Sequence, residues 1–288
     1  MPYRSMTMSI ALCLLCATVS YSKDRAECER IYKPKFGQPG KDVAWEPTPD
    51  ALAVDMLKLA KTTGRDKVYD LGAGDGAIVI VAAKQFGATA VGIEYNAELA
   101  KLGQCYVEAD GVESKAKVVE GDIFKTDFSS ATVVTLFLVP ELNLRLRPTL
   151  LNMPPGTRIV SHMHKFYEWN WDDEIERDGE HARLWIVPAK VAGKWDFKEN
   201  KGDGAFSLTL KQHFQQLTGD LQLSGQQSVV TGLLRGADIT VDIGGQRKLI
   251  GKVANTQGVA TMIATIADAR GTKQYVGTLN SSAPAKAR

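Results

Sequence analysis

A strand that runs directly into a glycine-rich turn and then into a helix constrains the fold of this chain more than any other segment. Residues 67–71 are predicted as a strand, residues 72–76 have the sequence Gly-Ala-Gly-Asp-Gly, and residues 78–86 have the apolar run of a buried helix. The turn satisfies the relaxed G-x-G-x-x-G/A pattern through Gly72, Gly74 and Ala77. Such a turn lets the backbone approach a ligand closely at the start of a helix. The segment therefore predicts an α/β fold with a small-molecule site at this turn.

Segments predicted as strands and helices continue to alternate along the chain. A helix is predicted to begin at Thr48 and Pro49, which form an N-cap and first-turn pair. Later strands are predicted at residues 90–93, 116–119, 132–138, 158–161 and 184–187, with helices at residues 97–109 and 141–150. Strands that are apolar along almost their whole length and separated by helices are typical of a parallel sheet covered on both faces. We therefore predict an α/β domain with a mainly parallel sheet over residues 45–190.

Acidic residues follow three successive strands of the predicted sheet. Asp70 ends the first strand, Glu94 follows the second and Asp122 follows the third, while Asp75 lies within the glycine turn. Against the pyrophosphate of a dinucleotide such as NAD, each like-charge contact costs several kcal/mol at ~4 Å and an effective dielectric constant of about 20. S-adenosylmethionine has no phosphate and carries an ammonium and a sulfonium, which carboxylates attract. The charges therefore favour S-adenosylmethionine, with Glu94 accepting from the ribose hydroxyls and Asp122 from the adenine amino group.

Segments around these carboxylates resemble the motifs of class I S-adenosylmethionine-dependent methyltransferases. Residues 68–76 resemble motif I, and residues 91–94 and 121–124 resemble the next two motifs. A narrower resemblance is to a subgroup of bacterial proteins and mitochondrial protein-lysine methyltransferases that act on adenine-nucleotide translocase and the ATP-synthase c-subunit. This narrower resemblance lies in residues 46–49, 134–151 and 156–162.

This resemblance covers residues 45–188 and implies a Rossmann-like class I methyltransferase domain. It implies S-adenosyl-L-methionine as the cofactor and methyl donor. The donor-binding roles of the family fall on Thr48, Asp70, Gly72, Gly74, Glu94 and Asp122.

Candidates for the acceptor site follow the fourth and fifth predicted strands. Glu141 and Asn143 lie in the loop that faces the donor's methyl group in this fold, although Glu141 equally fits a helix cap. His162 follows the next strand and is able to take a proton near neutral pH, or to make a strand-end hydrogen bond to the backbone. We predict Glu141, Asn143 and His162 as catalytic residues and an amine such as a protein lysine as the acceptor, with a small molecule as the alternative. In-line methyl transfer needs no metal, so no metal site is predicted.

The sequence pattern changes beyond residue 193. Short alternating segments such as residues 206–210, 221–223 and 239–243 are separated by glycines at short intervals. Antiparallel strands joined by glycine turns explain this pattern. We predict a small antiparallel β domain, a sandwich or a barrel, over residues 194–280 and a disordered tail over residues 281–288.

The amino terminus has the pattern of an export leader. An apolar run at residues 8–19 follows Arg4 and precedes small residues, which predicts a leader over residues 1–22, with an uncleaved membrane anchor as the alternative. Residues 23–44 show no steady period and are predicted as an extended linker or arm. We expect an exported protein, periplasmic or secreted, or one held near a membrane by this run. After cleavage Cys28 and Cys105 remain, and two such cysteines are able to form one disulfide.

Charge gives no support for a nucleic-acid partner. The formal net charge is +2 and basic and acidic residues are interleaved, so no basic stripe is evident. The leading hypothesis is therefore a methyltransferase acting on a protein or a small molecule. One alternative is an exported binding module whose methyltransferase-like domain is inactive and whose β domain carries the function. A weaker alternative is a nicotinamide oxidoreductase.

Overall fold

The amino-terminal part of the chain forms one sheet covered by helices. The computed structural model describes residues 24–256, 259–268 and 271–280, so the predicted leader and the predicted tail lie outside the described residues. The strands of this sheet are β1 (Lys67–Leu71), β2 (Thr89–Glu94), β3 (Ala116–Glu120), β4 (Val133–Leu136), β5 (Arg158–His162), β6 (Asp173–Arg177) and β7 (Glu180–Ile186). The helices are α1 (Arg25–Ile31), α2 (Asp50–Leu59), α3 (Ala77–Phe86), α4 (Ala97–Ala109) and α5 (Pro140–Leu150).

The strand order defines where a ligand site forms. The order is β3-β2-β1-β4-β5-β7-β6, in which β1 to β5 pair in parallel and β7 pairs antiparallel with β5 and β6. The strand order reverses at β1, whose neighbours are β2 and β4. In open α/β sheets the crevice at such a reversal, outside the carboxyl ends of the strands, is the usual ligand site. The predicted Rossmann-like, mainly parallel sheet is confirmed.

Both faces of the sheet are buried, as the apolar strands require. Successive strand residues point to opposite faces. Val133 accordingly belongs to the hydrophobic cluster that contains the buried side chains of α2, α3 and α4, whereas Val134 belongs to the cluster that contains Leu142 and Leu146 of α5. The strand β4 is fully buried along its length. Burial on both faces explains why this strand is continuously apolar instead of alternating.

An antiparallel hairpin at the edge of the sheet was not predicted. The sequence pattern predicts a last strand at residues 184–187, whereas β7 spans Glu180–Ile186 and a further strand, β6, precedes it. The two strands are joined by Asp178 and Gly179, both with positive φ, +52° and +84°. Asp-Gly is the preferred pair for a two-residue hairpin of this type. The residues of β6 are at most half-buried and mostly polar, so the segment lacks the apolar pattern from which a strand is predicted.

Two predictions for the segment before the sheet are wrong. The predicted extended linker over residues 23–44 contains α1, and Cys28 of this helix forms a disulfide with Cys105 of α4. Thr48 is not the N-cap of α2, because that position belongs to Pro49 and no side chain caps the helix. The hydroxyl of Thr48 lies instead 3.3 Å from Nδ1 of His162.

The carboxyl-terminal part forms a closed antiparallel barrel, which confirms the predicted β domain. Its strands are β8 (Gly193–Glu199), β9 (Ala205–His213), β10 (Gln216–Leu223), β11 (Gln226–Arg235), β12 (Asp238–Asp242), β13 (Lys248–Thr256), β14 (Val259–Asp268) and β15 (Gly271–Asn280). Each strand pairs with its neighbours in chain order, and β15 pairs with β8 to close the barrel. Its interior is filled mainly by aliphatic side chains, together with a few aromatic rings that include the stacked pair Phe197 and Phe206, whose centroids are 4.5 Å apart. Within the described residues, no helix combines the length and apolar character needed to cross a membrane.

The barrel packs against the sheet domain through the turn between β9 and β10. The Phe214 ring stacks on Trp169 with centroids 6.0 Å apart, and the guanidinium of Arg147 lies 5.4 Å from the Phe214 ring centroid. Gln215 Nε2 donates to the carbonyl oxygen of Asn170 at 2.7 Å. These contacts lie on the α5 side of the sheet, since Trp169 belongs to the hydrophobic cluster of that face.

Candidate active site

The glycine turn between β1 and α3 forms one wall of a cavity at the carboxyl edge of the sheet, named the edge cavity below. Gly72 and Gly74 line it together with Asp70 and Glu94. Gly74 has φ +54°, and a Cβ atom at this position would lie 2.8 Å from Nε1 of Trp45. Positive φ and this close approach each exclude a larger side chain. The glycine therefore permits the Trp45 indole to lie directly over the turn.

A loop formed by residues 38–48, named the covering loop, closes the opposite side of the edge cavity. Every residue of this loop lines the cavity. Its base is held by two backbone hydrogen bonds, from Gly37 N to Trp45 O and from Trp45 N to Gln38 O, both 2.9 Å. Because α1 lies just before this loop, the Cys28–Cys105 disulfide ties the chain leading into the loop to α4. Residues 38–44, the last part of the segment predicted as a linker or arm, thus form part of a wall of the edge cavity.

Burial affects two carboxylates at the glycine turn: Asp70, at the end of β1, is buried, and Asp75, within the turn, is partly buried. Asp70 is 4% exposed and accepts a hydrogen bond from Thr135 Oγ1 at 2.7 Å. Burial raises the pKa of Asp70 to about 7, with further increases from the nearby charges of Glu94 and Asp75. Burial also raises the pKa of Asp75 above its usual range. Since like charges and desolvation both disfavour ionisation, a cation bound in the edge cavity would stabilise these carboxylates in their charged form.

Glu94 is the last residue of β2, and Asp122 lies in the loop after β3. The two carboxylate oxygens of Glu94 accept hydrogen bonds from the backbone N–H groups of Gly74 at 2.9 Å and Asn96 at 2.8 Å. Asp122 accepts from the backbone N–H of Phe124 at 2.9 Å and lies 3.4 Å from Nζ of Lys41. The hydrogen bond from Phe124 is the main cause that holds the pKa of Asp122 below its usual range. Glu94 thus orients the glycine turn and Asp122 anchors the covering loop.

None of the three predicted catalytic residues lines the edge cavity. Glu141 is exposed in the first turn of α5. Asn143 is fully buried, and its Nδ2 donates to Ser161 Oγ at 3.5 Å. Within the described residues Asn143 Oδ1 has no hydrogen-bond partner. Catalytic roles for these residues stay predictions.

His162 is buried between the covering loop and the edge hairpin. It is 1% exposed, and its Nδ1 faces Thr48 Oγ1 at 3.3 Å while its Nε2 faces the Glu180 carboxylate at 2.8 Å. The Phe137 ring, which lines the edge cavity, lies 3.9 Å from the His162 ring, centroid to centroid. Burial lowers the pKa of His162 below its usual value, an effect that Glu180 partly offsets. The imidazole is therefore neutral near pH 7, and both ring nitrogens are engaged.

A segment that carries part of the edge cavity, from Asp70 onwards, matches a known protein family. The model of the ANTKMT methyltransferase domain family matches residues 70–173. A protein-lysine N-methyltransferase from Saccharolobus islandicus is 45% identical to this chain over 136 residues, which cover 46% of this chain and 84% of the relative. The chain belongs to this methyltransferase family.

More distant relatives and a crystal structure agree with this membership. The ATP synthase c-subunit lysine N-methyltransferase of Homo sapiens is 36% identical over 109 residues, which cover 38% of this chain and 46% of the relative. The methyltransferase described here therefore spans about half the length of that relative. The crystal structure of an RNA methyltransferase from Salinibacter ruber in complex with S-adenosyl-L-homocysteine is 40% identical, with a TM-score of 0.50. It covers 51% of this chain and 96% of its own.

S-adenosylmethionine is the methyl donor of this methyltransferase, and the residues present fit it. The edge cavity brings the six predicted donor-binding residues together, namely Thr48, Asp70, Gly72, Gly74, Glu94 and Asp122. A cationic ligand with an ammonium and a sulfonium and no phosphate would favour the ionised form of the buried Asp70, whose pKa burial raises to about 7. The individual binding roles stay predictions; the acidic lining and the close-approach glycine fit a cationic ligand that has no phosphate.

Sequence reasoning missed most of the covering loop and the partners of His162. Residues 38–44 carry no periodic signal, so their place over the turn is decided by tertiary contacts alone. Glu180 lies 18 residues after His162 and reaches it only because β7 pairs antiparallel with β5. The Asp-Gly pair of the hairpin is the one local signal that indicates this return.

Proposed function

We propose that this methyltransferase transfers a methyl group to a lysine side chain of a protein. The observation that carries the proposal is the charge of the edge cavity. Its lining contains one lysine, Lys41, and a larger set of acidic side chains, which are Asp42, Glu46, Asp70, Asp75, Glu94 and Asp122. An acidic site attracts an approaching lysine ammonium, and the relative from Saccharolobus islandicus is a protein-lysine N-methyltransferase.

The proposed acceptor path runs along the Phe137 side of the cavity. S-adenosylmethionine supplies a methyl group activated by its sulfonium. Phe137 and Leu138 follow β4 and line the cavity, so they provide an apolar wall that excludes water from an incoming amine. Such desolvation lowers the pKa of a lysine and favours the neutral amine that is needed for attack. Glu46 of the covering loop lies on the same cavity and is placed to attract the ammonium before it loses its proton.

An RNA acceptor is the second candidate, because the structure from Salinibacter ruber is described as an RNA methyltransferase. RNA-binding sites depend on basic side chains that neutralise phosphates. The acidic lining of the edge cavity and the net charge of +2 oppose this role. The charges therefore favour an amine over a phosphodiester polymer as the acceptor.

The acceptor class is tested with labelled donor and three substrate pools: protein, RNA and small metabolites. We expect label in protein, recovered as methyl-lysine after hydrolysis and mass spectrometry. The control is Gly74→Val, which blocks the glycine turn and should transfer no label. Label that appears in RNA or only in small molecules contradicts the lysine proposal. Absence of turnover on every pool would favour the alternative of an inactive domain.

We further propose that the protein works in an oxidising compartment, exported or held at a membrane. The Cys28–Cys105 disulfide supports this, since such bonds are rare in a reducing cytosol. The apolar run at residues 8–19 supports it as well, although it lies outside the described residues. The test is cell fractionation combined with sequencing of the mature amino terminus. Mature protein recovered in the cytosol with both thiols free would contradict the proposal.

A further inference from the structure

Three polar side chains from separate parts of the fold form a hydrogen-bonded chain that ends at the edge cavity. Glu180 at the start of β7 lies 2.8 Å from Nε2 of His162, at the end of β5. Nδ1 of His162 lies 3.3 Å from Oγ1 of Thr48, in the covering loop. Thr48 lines the cavity, whereas Glu180 and His162 do not. The three side chains therefore connect an outer carboxylate to the hydroxyl of a residue that lines the edge cavity.

Hydrogen-bond chemistry determines which of these side chains donates and which accepts at each contact. An ionised carboxylate only accepts hydrogen bonds, so Nε2 of His162 carries a proton and donates it to Glu180. A neutral imidazole has a single N–H, which leaves Nδ1 as an acceptor. The hydroxyl of Thr48 must then donate its hydrogen to Nδ1. Its lone pairs are left free to face the cavity.

The surroundings of His162 keep the ring in this neutral form near pH 7. Burial at 1% exposure is the largest influence and lowers its pKa. The charged or titratable groups that act on it are Glu180 from β7, Glu46 from the covering loop and His164 from the segment after β5. The first two favour the protonated ring and the third disfavours it.

We propose that Glu180, acting through His162, fixes the Thr48 hydroxyl as a hydrogen-bond acceptor towards the methyl donor. Glu180 and His162 are thus positioning residues, and Thr48 is the group that faces the ligand. The donor carries cationic groups, which an acceptor-only hydroxyl favours and a hydroxyl hydrogen would oppose. Addition of a second proton to His162 turns Nδ1 into a donor and reverses the hydroxyl. This inference concerns the donor alone and is independent of whether the acceptor is a lysine.

The first test reads the His162 tautomer in the ligand-free protein. The chain has four histidines, so ¹⁵N spectra of the imidazole nitrogens are readily resolved. Assignment uses His164→Gln, His181→Gln and His213→Gln, which leave the buried His162 in place. We expect His162 to carry its proton on Nε2 at neutral pH, and Glu180→Gln to give a mixture of tautomers, because an amide is able to donate as well as accept. A proton on Nδ1 in the wild-type protein would overturn the proposal.

The second test measures the dissociation constant of S-adenosylmethionine by calorimetry. We expect Thr48→Val, which removes the hydroxyl at nearly constant shape, to weaken binding about tenfold or more. Thr48→Ser, which keeps the hydroxyl, should restore most of the affinity. Glu180→Gln should weaken binding about threefold to tenfold with little change in melting temperature, since its side chain is 43% exposed.

The matched control is Glu176→Gln, which removes an exposed carboxylate from the neighbouring strand β6. It should leave both the His162 tautomer and the donor affinity unchanged. Wild-type affinity in Glu180→Gln would overturn the positioning role. An equal loss of affinity in Glu176→Gln would overturn it too, because the effect would then be one of general surface charge.

Discussion

Replacement of Gly74 by alanine separates backbone strain from the close approach of Trp45. Gly74 has φ +54°, and its new Cβ would lie 2.8 Å from Trp45 Nε1. A non-glycine residue in left-handed conformation costs about 1–2 kcal/mol of stability. Displacement of the Trp45 indole opens the covering loop and removes an aromatic wall of the cavity. Loss of a large apolar side chain that is fully buried against a ligand costs about 1.5–3 kcal/mol of binding free energy. We expect Gly74→Ala to bind S-adenosylmethionine about ten- to a hundredfold more weakly than the wild type.

Gly111 provides the matched control for this prediction. It has φ +67°, and an added Cβ would meet nothing within 4 Å. Gly111→Ala should therefore lose about 1–2 kcal/mol of unfolding free energy and keep the wild-type dissociation constant. Denaturant unfolding gives the stability of both variants and calorimetry gives the donor affinity.

A double-mutant cycle tests the role of Trp45. If the loss at Gly74 arises through the indole, Gly74→Ala should have little further effect on affinity in a Trp45→Ala background. Additive losses would show that the alanine acts on the donor directly. Wild-type affinity in the single Gly74→Ala variant would refute the reasoning altogether.

The buried Asp70, the predicted ribose-binding residue Glu94 and the barrel each give a further prediction. The pKa of Asp70 is raised to about 7 in the folded protein, so between about pH 4 and pH 7 the folded state holds a proton that the unfolded chain has lost. The unfolding free energy of the ligand-free protein should therefore fall as the pH rises from about 4 to about 7. Because the cationic donor favours ionised Asp70, the affinity for the donor should rise as the pH increases through about 7. Binding should then release a proton, which calorimetry in buffers of different ionisation enthalpy detects. Asp70→Asn should remove this proton release. Glu94→Ala should weaken donor binding by about 1.5–3 kcal/mol, and unchanged affinity in the folded variant would exclude Glu94 from the site. A fragment of residues 23–193 should bind the donor like the whole chain, since none of the described barrel residues lines the edge cavity. The fragment exposes Trp169 where Phe214 stacks, and a folded, soluble fragment that fails to bind would show that the barrel supports the site.

Much of the donor site was predictable because its carboxylates follow consecutive parallel strands. Asp70, Glu94 and Asp122 come from β1, β2 and the loop after β3, whose carboxyl ends meet at one edge of the sheet. Any chain with this strand order brings such residues together. No comparable rule fixes the surroundings of the predicted catalytic residues. Glu141 and Asn143 follow β4 and His162 ends β5, close to their expected places. Their burial and hydrogen-bond partners could not be predicted, because these depend on how α5, the covering loop and the edge hairpin pack around them.

The sequence by itself determined the alternation of strand and helix, the glycine turn, the acidic strand ends and the change to antiparallel strands after residue 193. These features are local, since each depends on residue spacing or on the chemistry of a few neighbouring side chains. Tertiary structure decided the return of β7 beside β5, the disulfide between Cys28 and Cys105, the closure of the barrel and the position of the covering loop. Each of these joins segments far apart in the chain, where packing and hydrogen bonding select the partner and no local pattern records it. The contact of Thr48 with His162, across 114 positions of sequence, is of this kind.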